Sequence, residues 1–302
     1  MRSRKQKTKF FCSWTRVDPE FQLYDEDANI LLSPTILSKN WDIFKWSKLP
    51  SSIYVDSGIY SDRSSRPSVE SILDSQVRIS KNIGDIPVYY SHPDILLLKG
   101  LSQSQLINSL KENLTRAEEY IKLFRKKRIN GIPVGVIHGL DPETIYLTFL
   151  RLAKMGYQYF AIGSMSVRVT HNRKLVIELL QFILDSGIQP VHILGLTLPL
   201  IDEFEPGSFA SFDTAAPIKL AHNGSVLYRA PIRRCILRPD AYNHLRANVY
   251  SFRSSLDAPL SCDCPVCRTD SEQLIGDNNT KVRVNRSIHN YFMLKQETEE
   301  RS

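Results

Sequence analysis

The fold is decided by residues 133–162, which are PVGVIHGLDPETIYLTFLRLAKMGYQYFAI. An apolar run at 133–137 is followed by an amphipathic segment at 142–155 and by a second apolar run at 159–162. This order predicts a strand, a helix and a second strand. Strands that alternate with helices in units of about 30 residues are typical of parallel βαβ construction.

The same alternation extends in both directions along the chain. We predict further strands at 30–32, 53–55, 86–90, 191–194 and 211–212, and further helices at 106–125 and 173–186. So many units within 302 residues favour an α/β fold of the (β/α)8 TIM-barrel type over an open sheet. No glycine-rich dinucleotide fingerprint follows the first strand, and this argues against a Rossmann fold as the alternative.

A cluster of cysteines and one histidine lies near the C-terminus. Cys262, Cys264 and Cys267 occur within Cys-Asp-Cys-Pro-Val-Cys, and His289 follows in Ser-Ile-His-Asn-Tyr-Phe-Met-Leu. The spacing is too compact for ordinary disulfide pairing, and the chain has an odd number of cysteines. Thiolate and imidazole ligands suit a closed, tetrahedral zinc site, so we predict a structural Zn2+.

The position of this cluster predicts how the chain is divided. We assign residues 1–256 to the (β/α)8 barrel as the catalytic domain, and residues 257–302 to a zinc-binding lobe with a C-terminal helix. The helix is expected to begin near His289, and residues 296–302 are expected to form a frayed tail.

The net charge and the hydropathy of the sequence limit the kinds of partner that the protein can have. The net charge is +7 and the pI is about 9.1, which favours a polyanionic partner such as nucleic acid. No apolar run approaches the length of a transmembrane helix, and the basic N-terminus leads into Phe-Phe-Cys-Ser-Trp without the apolar stretch of a signal peptide. We therefore expect a cytoplasmic protein with reduced cysteines and no membrane partner.

In a barrel of this type, functional residues lie at the C-terminal ends of the strands. Carboxylates that face one another across a barrel mouth suit glycosidic chemistry, in which one attacks or stabilises the anomeric carbon and the other moves protons. The strand ends carry Asp56-Ser57-Gly58, His92-Pro93-Asp94, His138-Gly139, Gly163-Ser164, Gly195 and Asp213-Thr214.

These strand ends and the zinc cluster resemble the tRNA-guanine transglycosylase superfamily. Its members are zinc-bearing (β/α)8 enzymes that exchange guanine in nucleic acid for a 7-deazaguanine. The resemblance covers most of residues 50–295 and is carried by five segments in the family's order: YVDSG at 54–58, VIHG at 136–139, FAIGS at 160–164, SFDTAA at 211–216, and the zinc set with the Asn that follows His289.

The resemblance implies a role for each matching residue. Asp213 is the expected nucleophile and Asp56 the expected general acid/base, while Cys262, Cys264, Cys267 and His289 would hold the zinc ion. The expected base-binding residues are Ser57, Gly58, Asp94, His138, Gly139, Gly163 and Ser164. His138 stands where the family has glutamine, Ser164 stands where it has glycine, and Asp94 takes the place of the aspartate that binds the guanine edge.

The compact, diverged sequence is most like the DpdA branch, which installs 7-deazaguanines into DNA. The expected function is therefore replacement of guanine in DNA by a 7-deazaguanine, such as 7-cyano-7-deazaguanine, through a covalent aspartate–sugar intermediate. The expected partners are DNA or tRNA, the 7-deazaguanine base, and a second copy of the chain or accessory proteins. The alternatives are a tRNA-guanine transglycosylase, a non-catalytic nucleic-acid-binding partner subunit, and a glycosidase of free nucleosides.

Each candidate side chain also has a purely structural interpretation. Asp213 could cap the helix that follows it, Asp56 could cap a turn with Ser57-Gly58, and Asp94 could belong to an ordinary proline turn. His138 and His192 could be buried structural histidines.

Overall fold

The computed structural model describes residues 7–34, 45–58, 67–81, 83–97, 100–139, 141–163, 172–201, 203–205, 207–228, 233–236, 251–252, 262–275 and 279–300. Among them, parallel strands β1 to β8 pair in sequence order and close into a barrel, because β1 pairs with both β2 and β8. The strands are β1 Lys9–Ser13, β2 Asn29–Leu32, β3 Ser52–Val55, β4 Val88–Ser91, β5 Ile132–Ile137, β6 Tyr159–Ile162, β7 Val191–Ile193 and β8 Ser211–Thr214. The predicted (β/α)8 fold is confirmed.

Helices follow most of the strands. They are α1 Val69–Ser80, α2 Gln103–Lys126, α3 Pro142–Met155, α4 Arg173–Asp185, α5 Leu198–Ile201 and α6 Ala216–His222. The bounds of α3 agree with the sequence prediction and have a local cause. Asp141 and Thr144 form a capping box, Pro142 occupies the first turn, and Gly156 ends the helix with φ at 98°.

Alternation along the strands separates two apolar layers. One set of side chains fills the barrel interior and contains Phe11, Leu31, Tyr54, Tyr89, Val134, Val136 and Ala161. The neighbouring positions, such as Cys12, Ile30 and Ile53, face the helices and join the larger core. By the same parity, Ser211 and Asp213 lie on one face of β8.

Strand β1 is the barrel strand that sequence reasoning missed, since each predicted strand has its counterpart among β2 to β8. Lys9 to Cys12 pair with Ser211 to Thr214 of β8, and Phe11 to Ser13 pair with Asn29 to Leu31 of β2. The basic segment that leads into Phe10 is therefore followed by the strand that closes the barrel.

A second sheet lies outside the barrel. It contains β9 Ser225–Tyr228, β10 Arg233–Ile236 and β11 Ser251–Phe252, in the order β11-β10-β9. These residues fall within the 1–256 segment that the sequence assigns to the barrel domain, yet Val226 of β9 packs with Cys264, Val266 and Ile288 of the metal-binding segment.

The C-terminal residues form α7 Pro265–Asp270 and α8 Thr280–Glu300. The prediction that the last helix begins near His289 is wrong, because His289 lies in the middle of α8. The predicted frayed tail from residue 296 is also wrong up to Glu300, where α8 ends. Helix α8 packs on the barrel: Tyr291 stacks on Phe21 with ring centroids 4.6 Å apart, and Lys295 forms an ion pair of 2.6 Å with Asp25.

In the part of the chain that the structure describes, none of the helices combines the length and the apolar character needed to cross a membrane.

Candidate active site and metal centre

Asp213 lies near the end of β8, on the strand itself. Its Oδ1 accepts a hydrogen bond of 2.8 Å from the Gly195 N–H and lies 3.1 Å from His192 Nε2. Ser13 Oγ lies 3.5 Å from Oδ2. The helix-cap interpretation is wrong, because Ala215 occupies the N-cap of α6 and the N–H of Ala216 donates to the Thr214 hydroxyl at 3.2 Å. Asp213 is thus a buried carboxylate with one oxygen held by two groups.

Asp56 follows β3 and is half-buried. Its Oδ2 accepts a hydrogen bond of 3.2 Å from the Gly58 N–H, and Gly58 has φ at 80°, a conformation that favours glycine. The turn-cap interpretation is therefore confirmed, and it leaves the carboxyl group able to exchange a proton. Burial, followed by the charge of Asp94 and the charge of Asp213, raises the pKa of Asp56 to about 7. Such a pKa suits a general acid/base near neutral pH.

Asp94 and His138 form a buried pair. His138 Nε2 lies 2.7 Å from Asp94 Oδ2, and the Ser57 hydroxyl donates a hydrogen bond of 3.3 Å to Asp94 Oδ1. Burial alone would raise the pKa of Asp94, but the hydrogen bond and the charge of His138 hold it below its ordinary value. The structure therefore brings three of the predicted base-binding residues into one network around an ionised carboxylate.

The predicted glycines Gly139 and Gly163 are positions of close approach. A Cβ at Gly163 would lie 2.4 Å from His138 Cε1, and a Cβ at Gly139 would lie 2.5 Å from the backbone nitrogen of Ile145 in α3. The Gly163 N–H donates to the Ile137 carbonyl oxygen at 3.1 Å. Gly163 thus gives the His138 ring the room it needs to reach Asp94. Ser164 lies outside the described residues.

Gln76 of α1 is a buried residue near the site that sequence reasoning missed. Its Nε2 donates to the carbonyl oxygens of Val55, Asp56 and Ser91 at 3.3, 3.1 and 2.8 Å, and its Oε1 accepts a hydrogen bond of 2.7 Å from the Tyr120 hydroxyl. It therefore ties the end of β3, which carries Asp56, to the end of β4. The polarity of residue 76 between apolar helix positions was the available signal.

The four predicted metal ligands come together in the described structure. One ligand atom from each of Cys262, Cys264, Cys267 and His289 lies within 4.8 Å of all the others. His289 Nδ1 is 3.6 Å from Cys264 Sγ and 3.2 Å from Cys267 Sγ. Tetrahedral Zn2+ with its usual bond lengths places sulfur and nitrogen ligands about 3.5 Å apart. The cluster therefore fits a closed zinc site.

The surroundings of the cluster also favour metal binding. His289 Nε2 donates to the Leu227 carbonyl oxygen at 2.7 Å, which leaves Nδ1 directed at the sulfurs. The backbone N–H groups of Cys264 and Cys267 donate to Cys262 Sγ and Cys264 Sγ, each at 3.4 Å.

Carboxylates gathered at the carboxyl ends of barrel strands are suited to breaking and remaking a glycosidic bond, so the fold and the site together fit the class of barrel enzymes that transfer glycosyl groups, with a cluster that could hold a metal ion. The model of the queuine tRNA-ribosyltransferase family (TGT) matches residues 45–301, and the chain belongs to this family. The predicted superfamily is thereby confirmed, and guanine transglycosylation, a pentosyl transfer, is the class of activity that membership supports. No curated protein matches the chain.

Proposed function

We propose that this protein replaces guanine in DNA by a 7-deazaguanine, such as 7-cyano-7-deazaguanine, through a covalent bond between Asp213 and C1′ of the sugar. The observation that carries the proposal is that two carboxyl groups at the barrel mouth lie in different environments. Asp213 is held by the Gly195 N–H and by His192, whereas the pKa of Asp56 is raised to about 7 by burial and by the charges of Asp94 and Asp213. Two carboxyl groups in such different environments can take different roles, one as the nucleophile and the other as the acid/base.

In the first step, a carboxylate oxygen of Asp213 attacks C1′ and the bond from C1′ to N9 of guanine breaks. The electron pair of that bond stays with guanine, which takes the proton of Asp56 as it leaves. The products are a sugar ester of Asp213, free guanine and the Asp56 carboxylate. The target nucleotide has to leave the base stack before its glycosidic bond can be reached.

In the second step, the Asp56 carboxylate removes the N9 proton of the incoming base. The freed nitrogen attacks C1′, the ester bond breaks, and its electron pair returns to Asp213. Both carboxyl groups regain their starting states, so the cycle requires no oxidant, reductant or energy source. A single acid/base with a pKa near neutrality can serve both half-reactions, which is the property that Asp56 has.

We assign base recognition to the Asp94 network. The N1–H and N2–H groups of guanine and of its 7-deaza analogues are donors, and the ionised Asp94 carboxylate is an acceptor. Ser57 and His138 orient this carboxylate at 3.3 and 2.7 Å. Gly58 and Gly139, with Gly163 and Ser164, are proposed to shape the surface against which the flat base lies.

The preference for DNA rests on divergence at the base pocket. His138 and Ser164 replace the glutamine and the glycine expected from the family pattern, which supports a branch with an altered polymer substrate. A net charge of +7 supports a polyanion of either kind, because phosphate contacts position a nucleic acid without selecting its sequence.

We propose that the metal centre is structural. A bound Zn2+ would link the cysteine segment to α8 through His289, whose Nε2 already holds β9 through Leu227. The four protein ligands fill a tetrahedral shell, so every proposed catalytic step is carried by the aspartates at the barrel mouth.

The test is incorporation of radiolabelled guanine into duplex DNA and into bulk tRNA, measured in parallel. We expect label in DNA, loss of exchange in Asp213→Asn, and full exchange in Asp185→Asn, a control that neutralises an exposed aspartate at the end of α4. Label in tRNA alone would keep the chemistry and overturn the DNA assignment. Label in neither polymer would favour the non-catalytic partner subunit, and exchange by Asp213→Asn would refute the assigned nucleophile.

A further inference from the structure

We propose that His192 is a positioning residue for Asp213, and that Ser211 and Tyr159 in turn position His192. This inference rests on the proposed role of Asp213 as nucleophile. His192 Nε2 lies 3.1 Å from Asp213 Oδ1, and His192 Nδ1 lies 2.7 Å from Ser211 Oγ. The Tyr159 hydroxyl lies 2.8 Å from the same Ser211 Oγ. A chain of hydrogen bonds therefore runs from the barrel interior to the carboxylate.

The chain is built from three neighbouring strands. Tyr159 lies on β6, His192 on β7 and Ser211 on β8, and His192 is in register with Ser211. The whole of His192 and of Ser211 is removed from solvent. Such a network forms only when the strands are correctly paired. The register of β7 and β8 therefore determines from which side His192 contacts Asp213.

Two aromatic side chains fix the plane of the His192 imidazole. Tyr54 stacks on His192 with ring centroids 4.3 Å apart and an interplanar angle of 20°. Phe11 meets the same ring edge-on at 5.7 Å and 72°. With its plane held on two sides, the ring directs Nε2 at Asp213 and Nδ1 at Ser211.

The chemistry of the partners sets the direction of the hydrogen bonds. A carboxylate only accepts, so His192 Nε2 carries the hydrogen and donates to Asp213 Oδ1. In the neutral imidazole, Nδ1 then accepts from the Ser211 hydroxyl, which itself accepts from Tyr159. Burial raises the pKa of the Tyr159 hydroxyl, so this group keeps the proton that it donates.

The network distinguishes the two oxygens of Asp213. Oδ1 accepts from the Gly195 N–H at 2.8 Å and from His192, whereas the contact of Oδ2 with Ser13 is longer, at 3.5 Å. Oδ2 is therefore the oxygen that attacks C1′. Without His192, the single bond to Gly195 would let the carboxylate rotate, and fewer encounters would have the attacking geometry.

The kinetic test compares four variants in the guanine-exchange assay. His192→Phe keeps an aromatic ring against Tyr54 and removes both nitrogens, and it is expected to lower kcat about 10- to 100-fold, as expected for loss of a hydrogen bond to a charged group, with KM for the base unchanged. His192→Gln restores a donor and recovers most of the rate. Tyr159→Phe lowers kcat less than His192→Phe does.

Tyr157→Phe is the matched control. It removes another buried tyrosine hydroxyl, which donates to the Ala117 carbonyl oxygen at 2.8 Å in the helix layer and not to a member of the His192 chain. We expect its kcat to equal that of the unmodified protein. Wild-type kcat in His192→Phe, a loss confined to KM, or equal losses in Tyr157→Phe and Tyr159→Phe would overturn the inference.

A second measurement separates this inference from the proposed function, because it needs no turnover. Nitrogen-15 NMR of the histidine side chains in the intact protein, assigned with His192→Gln, should show hydrogen on Nε2 of His192. Its resonances should shift in Asp213→Asn and in Tyr159→Phe but not in Tyr157→Phe. An unprotonated Nε2, or no response to Asp213→Asn, would refute the positioning role even if guanine exchange is confirmed. If exchange fails while the NMR pattern is found, the proposed function is wrong and the contact stands.

Discussion

Replacement of Gly163 by alanine should destabilise the protein through His138. An added Cβ would lie 2.4 Å from His138 Cε1, 2.6 Å from His138 Nε2 and 2.9 Å from Val136 Cγ1. The backbone at Gly163 is outside the left-handed region, so the cost is steric. Because the imidazole is held by its 2.7 Å contact with Asp94, it cannot move aside without weakening that pair. Overpacking of this kind costs about 1–3 kcal/mol of unfolding free energy.

A double-mutant cycle assigns that cost to His138. A His138→Ala background removes the two atoms nearest to the new Cβ and leaves the Val136 methyl group at 2.9 Å, so Gly163→Ala should cost less than about 1 kcal/mol there. The coupling between the two sites is then about 1–2 kcal/mol, within the range for residues in contact. Equilibrium urea unfolding of the four proteins, followed by circular dichroism, measures each free energy.

Gly187→Ala is the control for the cycle. Gly187 has φ at 67°, and a Cβ there would meet no atom within 4 Å, so its cost is backbone strain alone. This cost should be the same in both backgrounds. If Gly163→Ala also costs the same in both backgrounds, the room that Gly163 leaves is unrelated to the Asp94–His138 pair, and our account of this glycine is wrong.

Two further predictions concern Asp56 and the cluster of cysteines with His289. Because the pKa of Asp56 is raised from 3.8 to about 7, its contribution to stability is full below about pH 4 and is lost as the pH rises through about 7. Urea unfolding should therefore show the wild-type protein losing stability relative to Asp56→Asn over this range, and parallel pH profiles would contradict the raised pKa. Cys264→Ser should lower both the zinc content, measured by atomic absorption, and the unfolding free energy, whereas an undiminished zinc content would exclude Cys264 as a ligand.

Strands β2 to β8 could be predicted because their evidence is local. Each is a short apolar run followed by a turn or a helix, and β5, α3 and β6 lie almost where the sequence predicts them. Strand β1 lacks such evidence. Its short apolar run follows a basic segment, and its strand character depends on pairing with β8, from the far end of the barrel sequence. Sequence patterns do not show such a contact, although Phe10, Phe11 and Cys12 supply the side chains for both layers.

The start of α8 was missed for a related reason. Val282 and Val284 alternate with polar residues, a pattern that favours a strand over a helix. Tertiary contacts reverse that preference, because the buried Arg286 donates through Nε to the Leu274 carbonyl oxygen at 2.8 Å and Asn285 contacts Gln273. A local preference worth a fraction of a kcal/mol per residue is overcome by such contacts.

The carboxyl groups at the strand ends could be located from the sequence, but their protonation could not. Asp56 and Asp94 both follow barrel strands and lie close enough for the charge of Asp94 to raise the pKa of Asp56. They differ because His138, from β5, reaches Asp94, and it does so across the space left by Gly163. One carboxyl group is therefore held ionised, and the other is poised to exchange a proton. The acid/base role that we propose for Asp56 thus depends on the closed barrel, in which the ends of β3, β4, β5 and β6 come together, and a change at Gly163 should disturb this role without altering either aspartate.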